Sequence, residues 1–253
     1  MKQFEKNKLE YEGKIFSSRS YGDFKVIRYN GTFDVDIEFV TTKTKSNVEL
    51  GNVKKGSVKD PYLPSIYGVG FIGKGIYTSR IDSIQTTTYK RWKEMLNRCY
   101  NPKNAEFNNY GNRGITVCDD WLNFQNYAEW WNNNCCNESF VVDKDILNKG
   151  NKIYSPNTCC FVPSEINSAL TSRKIERGKY PIGVRIKGGK IIAQINYMKK
   201  KIHLGTFNTI EEAFNAYKIS KERCLKEYAN LYKNKISKEV YNALYNYKIE
   251  ITD

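Results

Sequence analysis

The stretch VVDKDILNKGNKIYSPNTCCFVPSEINSAL, residues 141–170, decides how the rest of the chain is read. A short β-rich run ends at Asp143, and a loop of Asn, Lys, Gly and Ser follows. A second apolar run then covers Cys159 to Val162. The pattern predicts a strand, a polar loop, a second strand and a helix, with Asp143 closing the first strand and Asn167 on the helix. The residue after Asp143 is Lys144, a cation between the carboxylates of Asp143 and Asp145. What those residues can do depends on the company the stretch keeps.

At 253 residues the chain is long enough for one large domain or two to three small ones. Lys and Arg number 41 against 27 Asp and Glu, a net charge of +14, and the excess is concentrated. Residues 173–235 hold 16 basic and 5 acidic residues, so one quarter of the chain carries +11. That concentration points to an anionic polymer as partner. No run of about 18 apolar residues suggests a membrane span, and MKQFEKNKLEYEGK lacks the apolar core of a signal peptide. A cytoplasmic location is therefore expected. The seven cysteines would be reduced there. They form no C-x-x-C pair, which makes zinc an unlikely ligand.

Three modules follow, and together they predict an α+β fold. Residues 1–80 form a β-rich module of unknown role. FKVIRYN and FDVDIEFVTT alternate as strands, and Asn30-Gly31 supplies the turn. Short strands followed by GNVKKGSVKDPYLP suggest a small, curled antiparallel sheet, and PSIYGVGFIGKG reads as a connector. This module is the candidate surface for a protein partner. Residues 81–175 form a helical scaffold around the opening stretch. Trp92, Met95, Leu96 and Cys99 share one helix face, Asp119 or Asp120 is the expected N-cap, and Trp121, Phe124, Tyr127 or Ala128, and Trp131 form a buried stripe. Residues 176–253 hold three strands joined at GG and MKKK. A helix follows, capped by Thr209 with Glu212, and then a final helix.

In the last module, Gly183-Val184-Arg185, Ala193-x-Ile195, Leu204-Gly205-Thr206-Phe207 and Glu212-Ala213-x-x-Ala216-Tyr217 form a specific series. It resembles the DNA-binding domain of the plant ethylene-response factors, also found in phage homing endonucleases. The resemblance implies a three-stranded sheet lying in the major groove of double-stranded DNA. It places Arg185, Lys187, Lys190, Gln194, Asn196, Lys201 and His203 at DNA-facing positions. Strand residues two apart share a face, as 185 with 187 and 194 with 196 must. Ile182 stands where the family has arginine, and His203 where it has an aromatic, so His203 is expected to pack or to touch DNA. Gln194 and Asn196 suit adenine. DNA binding is expected to survive, and the plant recognition sequence is not.

With YKRWKEMLNRCYN, YGNRGITVCDDWLNFQNYAEWW and VVDKDIL ahead of YSPNTCCFVPSEIN, the middle module looks like the HNH endonucleases of bacteriophages. That resemblance implies Asp143 and Asn167 as metal ligands, suited by their oxygens to Mg²⁺ or Mn²⁺. It puts Lys144 where the general-base histidine belongs. A lysine serving as base near neutrality must give up its proton about three units below its usual ~10.4, a cost of about 4 kcal/mol, and flanking carboxylates favour the ammonium. Asp145 is the other catalytic candidate, though on a strand it shares a face with Asp143. Lys144 could instead meet a DNA phosphate, or all three charges could form a solvated strand end. Three functions follow: double-stranded DNA binding with cleavage weakened or lost, a metal-dependent nicking endonuclease, or a non-enzymatic effector that grips a host protein.

Overall fold

In the computed structural model, which describes residues 2–170 and 180–253, the alternation of Val35, Ile37 and Phe39 puts all three side chains in a core. They lie on β3 (Asp34–Phe39) of an antiparallel sheet with β1 (Ile15–Ser18), β2 (Gly22–Gly31) and β4 (Lys45–Val48), in the order β1-β2-β3-β4. Phe24, Val26 and Tyr29 of β2 complete the apolar face. Two helices cover it, in a module whose sequence reads as strands. In α1 (Gln3–Tyr11), Tyr11 is buried and Asn7 Nδ2 donates to the Tyr29 hydroxyl at 2.9 Å. In α2 (Leu50–Lys55), Leu50 and Val53 bury one face one turn apart, and Gly56 ends the helix in the left-handed region at φ 60°. The β2–β3 turn falls at Thr32-Phe33, not at Asn30-Gly31. Register shifts after Val26 and Tyr29 carry β2 on to Gly31, which pairs with Asp34.

The chain divides into two compact units, Met1–Glu129 and Trp130–Asp253, and its fold is mixed α+β with several small antiparallel sheets. The first unit continues through the hairpin β5 (Arg80–Ile81) and β6 (Ile84–Gln85), then α3 (Thr87–Tyr100), β7 (Thr116–Val117), α4 (Asp119–Leu122) and the start of α5 (Phe124–Asn134). Trp92, Met95, Leu96 and Cys99 form the buried face of α3. The Trp92 indole N–H donates to the Trp121 carbonyl at 2.6 Å, fixing α3 to α4. Cys118, rather than Asp119 or Asp120, is the N-cap of α4. The two aspartates occupy its first turn, where their charge suits the helix dipole. Trp121, Phe124, Tyr127, Ala128 and Trp131 are all buried.

The second unit holds β8 (Val141–Asp143), β9 (Ile153–Tyr154), β10 (Cys160–Val162) and α6 (Ser164–Leu170). After these come β11 (Val184–Lys187), β12 (Lys190–Tyr197), β13 (Lys200–Phe207), α7 (Ile210–Leu231) and α8 (Lys238–Tyr245). β8 and β10 pair antiparallel, with Asp143 opposite Cys160. β11, β12 and β13 form an antiparallel sheet in sequence order. Thr209 and Glu212 close the capping box of α7 in both directions. Ala213 and Tyr217 lie flat on the sheet, and a side chain at Gly183 (φ 80°) would overlap the Tyr217 ring. One core joins these elements: Ile146, Cys160, Val162 and Ile166 pack with Val184, Ala193, Ile195, Leu225 and Leu244. Phe161 is stacked on Trp130 at 4.8 Å and meets the edge of Trp131 at 4.9 Å. Among the described residues no helix is long and apolar enough to cross a membrane.

Candidate nucleic-acid interface

Pairing of β11, β12 and β13 fixes which side chains share the face turned away from α7. Arg185 lies opposite Ile192, Lys187 opposite Lys190, Gln194 opposite His203 and Asn196 opposite Lys201. Directly opposed residues point the same way. Arg185, Lys187, Lys190, Gln194, Asn196, Lys201 and His203 therefore all stand on one face, while Val184, Ala193 and Ile195 fill the core beneath. A bulge between Ala193 and Gln194 maintains this. It pairs Ala193 with Gly205 and Gln194 with His203, and Gly205 takes φ 143°. Lys187, Lys190, Asn196, Lys201 and His203 are exposed, and Arg185 and Gln194 are half-buried. His203 is thus not a packing residue, because the bulge leaves it on the open side.

The electrostatics of this face differ from those of the rest of the second unit, where carboxylates are interspersed with the cations. Several cations there have partners: Lys149 with Asp253 at 2.7 Å, Arg223 with Glu227 at 3.6 Å and Lys248 with Glu222 at 3.7 Å. Among the described residues, none of Arg185, Lys187, Lys190, Lys199, Lys200 and Lys201 is in an ion pair, and residues 184–207 contain no Asp or Glu. Lys187 faces Lys190 directly, a like-charge pair that costs stability in isolation. The Arg185 Nε is buried with no hydrogen-bond partner.

The opening stretch forms the strand–loop–strand–helix unit its pattern predicts, with β9 inside the loop. Asp143 is buried. Its Oδ1 accepts from the backbone N–H groups of Asp145 and Ile146, both at 2.8 Å, so it closes the turn after β8. Burial pushes the Asp143 carboxyl up from its usual range, and those two N–H groups partly oppose the shift. Burial likewise raises the thiol of Cys160, across the strand pair. Asn167 is half-buried on α6, which packs against β8. The two residues expected as metal ligands, Asp143 and Asn167, thus lie on neighbouring elements, β8 and α6. Among the described residues no group of three or more His, Cys, Asp or Glu is gathered as for a metal ion.

Lys144 does not point outward. It is buried, and its Nζ donates to both Asp145 carboxylate oxygens, at 2.7 and 2.9 Å, and to the Asn151 carbonyl at 2.7 Å. Asn151 returns a bond from Nδ2 to the Lys144 carbonyl at 3.0 Å. All three ammonium protons are therefore used within the loop. The DNA-phosphate contact and the solvated strand end expected of Lys144 are both replaced by a latch across residues 144–151. Asp145, expected as an alternative catalytic group, is the other half of that latch.

Two features escape a reading of the sequence. Asn151 carried no signal, since its role depends on a loop that folds back. Ile192 carried one, because it shares the parity of Lys190, Gln194 and Asn196 and so belongs to their face. Comparison with protein-family models, with curated proteins and with solved structures returned no match.

Proposed function

We propose that this protein binds double-stranded DNA by laying the outer face of β11, β12 and β13 into the major groove. The observation that carries this reading is a sheet face bearing unneutralised cations with no carboxylate among them, beside a helix, α7, that carries four glutamates and pairs Arg223 with one of them. A face of this kind suits a polyanion, and a narrow antiparallel ribbon matches the width of the major groove. Phosphates would relieve the Lys187–Lys190 repulsion. Gln194 and Asn196 supply side-chain amides that can donate to and accept from a base edge at once, where a lysine only donates.

The β8–β10–α6 unit shares the core of this sheet, so it would be held close to the same duplex. Asp143 Oδ2 and the Asn167 amide oxygen would hold Mg²⁺ or Mn²⁺, whose charge would neutralise a DNA phosphate. Cleavage is not part of the reading. The nitrogen at the general-base position is an ammonium with every proton bonded to Asp145 and Asn151. Loss of a general base typically costs 10²- to 10⁴-fold in rate.

Gel-shift titration of the full chain with duplex DNA at low salt tests the reading, run beside a plasmid-nicking assay with Mg²⁺ or Mn²⁺. Binding without nicking is expected. Failure to bind duplex at low salt rejects the proposal. Metal-dependent nicking that disappears in both Asp143→Ala and Asn167→Ala would make the protein a nickase instead.

A further inference from the structure

The middle of the sheet face is not charged. Ile192 stands between Arg185 on one side and Thr206 on the other, one row from Gln194. The three strands thus present a guanidinium, a branched aliphatic chain and a threonine methyl in a line, with an amide beside them. Ile192 is half-buried and Thr206 exposed, so both side chains are reachable from the open side. The bulge at Ala193/Gln194 creates this arrangement. Without it, Thr206 would fall on the opposite face from His203 and Lys201, since an odd spacing along a strand changes sides.

We propose that this row reads A·T base pairs, with Ile192 and Thr206 against the thymine 5-methyl group and Gln194 on the adenine paired with it or next to it. In the major groove adenine offers an acceptor at N7 and a donor at N6, which one side-chain amide satisfies together, and thymine alone among the bases offers a methyl group. An aliphatic side chain on this face loses hydration and gains nothing against guanine or cytosine. Against a thymine methyl it buries apolar surface. Asn196, one row further along β12, extends the same preference. The inference rests on the DNA-binding reading and adds the class of base pair recognised.

Bound duplexes are selected by the full-length protein from a random-sequence pool and sequenced. One selected duplex is then remade with uracil for thymine, or 7-deazaadenine for adenine, at each core position. Uracil removes only the methyl group and 7-deazaadenine only the N7 acceptor, so hydrogen bonding within the base pairs is kept. Selected sites are expected to have an A·T-rich core. Uracil at one core position should weaken binding by about three- to fivefold, the value of one buried methyl. Ile192→Ser should bring that ratio to about one, and Gln194→Ala should do the same for 7-deazaadenine. A G·C core, or equal affinity for thymine and uracil duplexes, overturns the inference while leaving DNA binding in place. If no duplex in the pool is bound, the DNA-binding reading itself fails.

Discussion

Arg185 and Lys144 are both basic residues in the second unit, and they are put to opposite uses. Arg185 stands on the open face with its Nε buried and unpartnered. Arg185→Ala is expected to cost about 1–3 kcal/mol of DNA affinity and to relax preference at one base position. Competition between duplexes that differ at single positions measures this, and a uniform loss across all sequences would move Arg185 to the phosphate class. Lys144, by contrast, is consumed by its own loop. Lys144→Met should destabilise the fold by about 1–3 kcal/mol, because the Asn151 carbonyl loses its donor. The Asp145 side chain is 49% exposed, so its freed carboxylate should add little. Urea unfolding reads the loss. A weaker DNA complex with unchanged stability would instead return Lys144 to the interface.

At the scale of elements, the β12–β13 hairpin and α7 each carry a local conflict. Met198 and Lys199 connect the strands with positive φ, 47° and 61°, at both turn positions. Two-residue turns of that shape favour Asn-Gly, and a left-handed backbone costs an ordinary residue about 1–2 kcal/mol. Replacing Met198-Lys199 by Asn-Gly should therefore raise stability by about 1 kcal/mol in urea unfolding. In α7, Lys221 sits on the buried stripe with Tyr217 and Cys224, and burial lowers its pKa from the ordinary lysine value. The unfolded chain then binds the proton more tightly than the folded one. Stability should rise with pH between the lowered folded pKa and the unfolded value near 10.5. Lys221→Met should be more stable than the parent at neutral pH and should lose that alkaline rise. Parallel pH series of urea midpoints would show it, and parallel curves for the two proteins would contradict it.

Across the whole molecule, concentrated charge sets the response to salt. If six to ten phosphates are neutralised, affinity should fall by roughly 10³- to 10⁵-fold between 50 and 200 mM salt. Lys201→Ala should reduce the slope by about one. A flat salt dependence would exclude a polyanionic partner for this face. Much of the architecture was legible in the chain because it rests on local patterns. Val35, Ile37 and Phe39 alternate, Trp92 to Cys99 keep a helical period, and Thr209 with Glu212 announces the start of α7. Less was legible where folding brings distant groups together. The turn at Thr32-Phe33 was displaced by bulges, and α2 formed inside a module that reads as strands because Leu50 and Val53 find a core to enter.

By itself the sequence determined the strands and helices that keep a regular local period, the side-chain parity of Arg185, Lys187, Gln194 and Asn196, and the absence of carboxylates from 184–207. These depend on residues within a few positions of one another. Only the tertiary structure decided the rest. It set the bulge that keeps His203 and Thr206 on the same face as Gln194, and it joined the sheet to the β8–β10–α6 unit in one core. It also turned Lys144 inward to Asn151. Each of those outcomes depends on register or on chain return over a loop, and neither can be read from the residues one at a time.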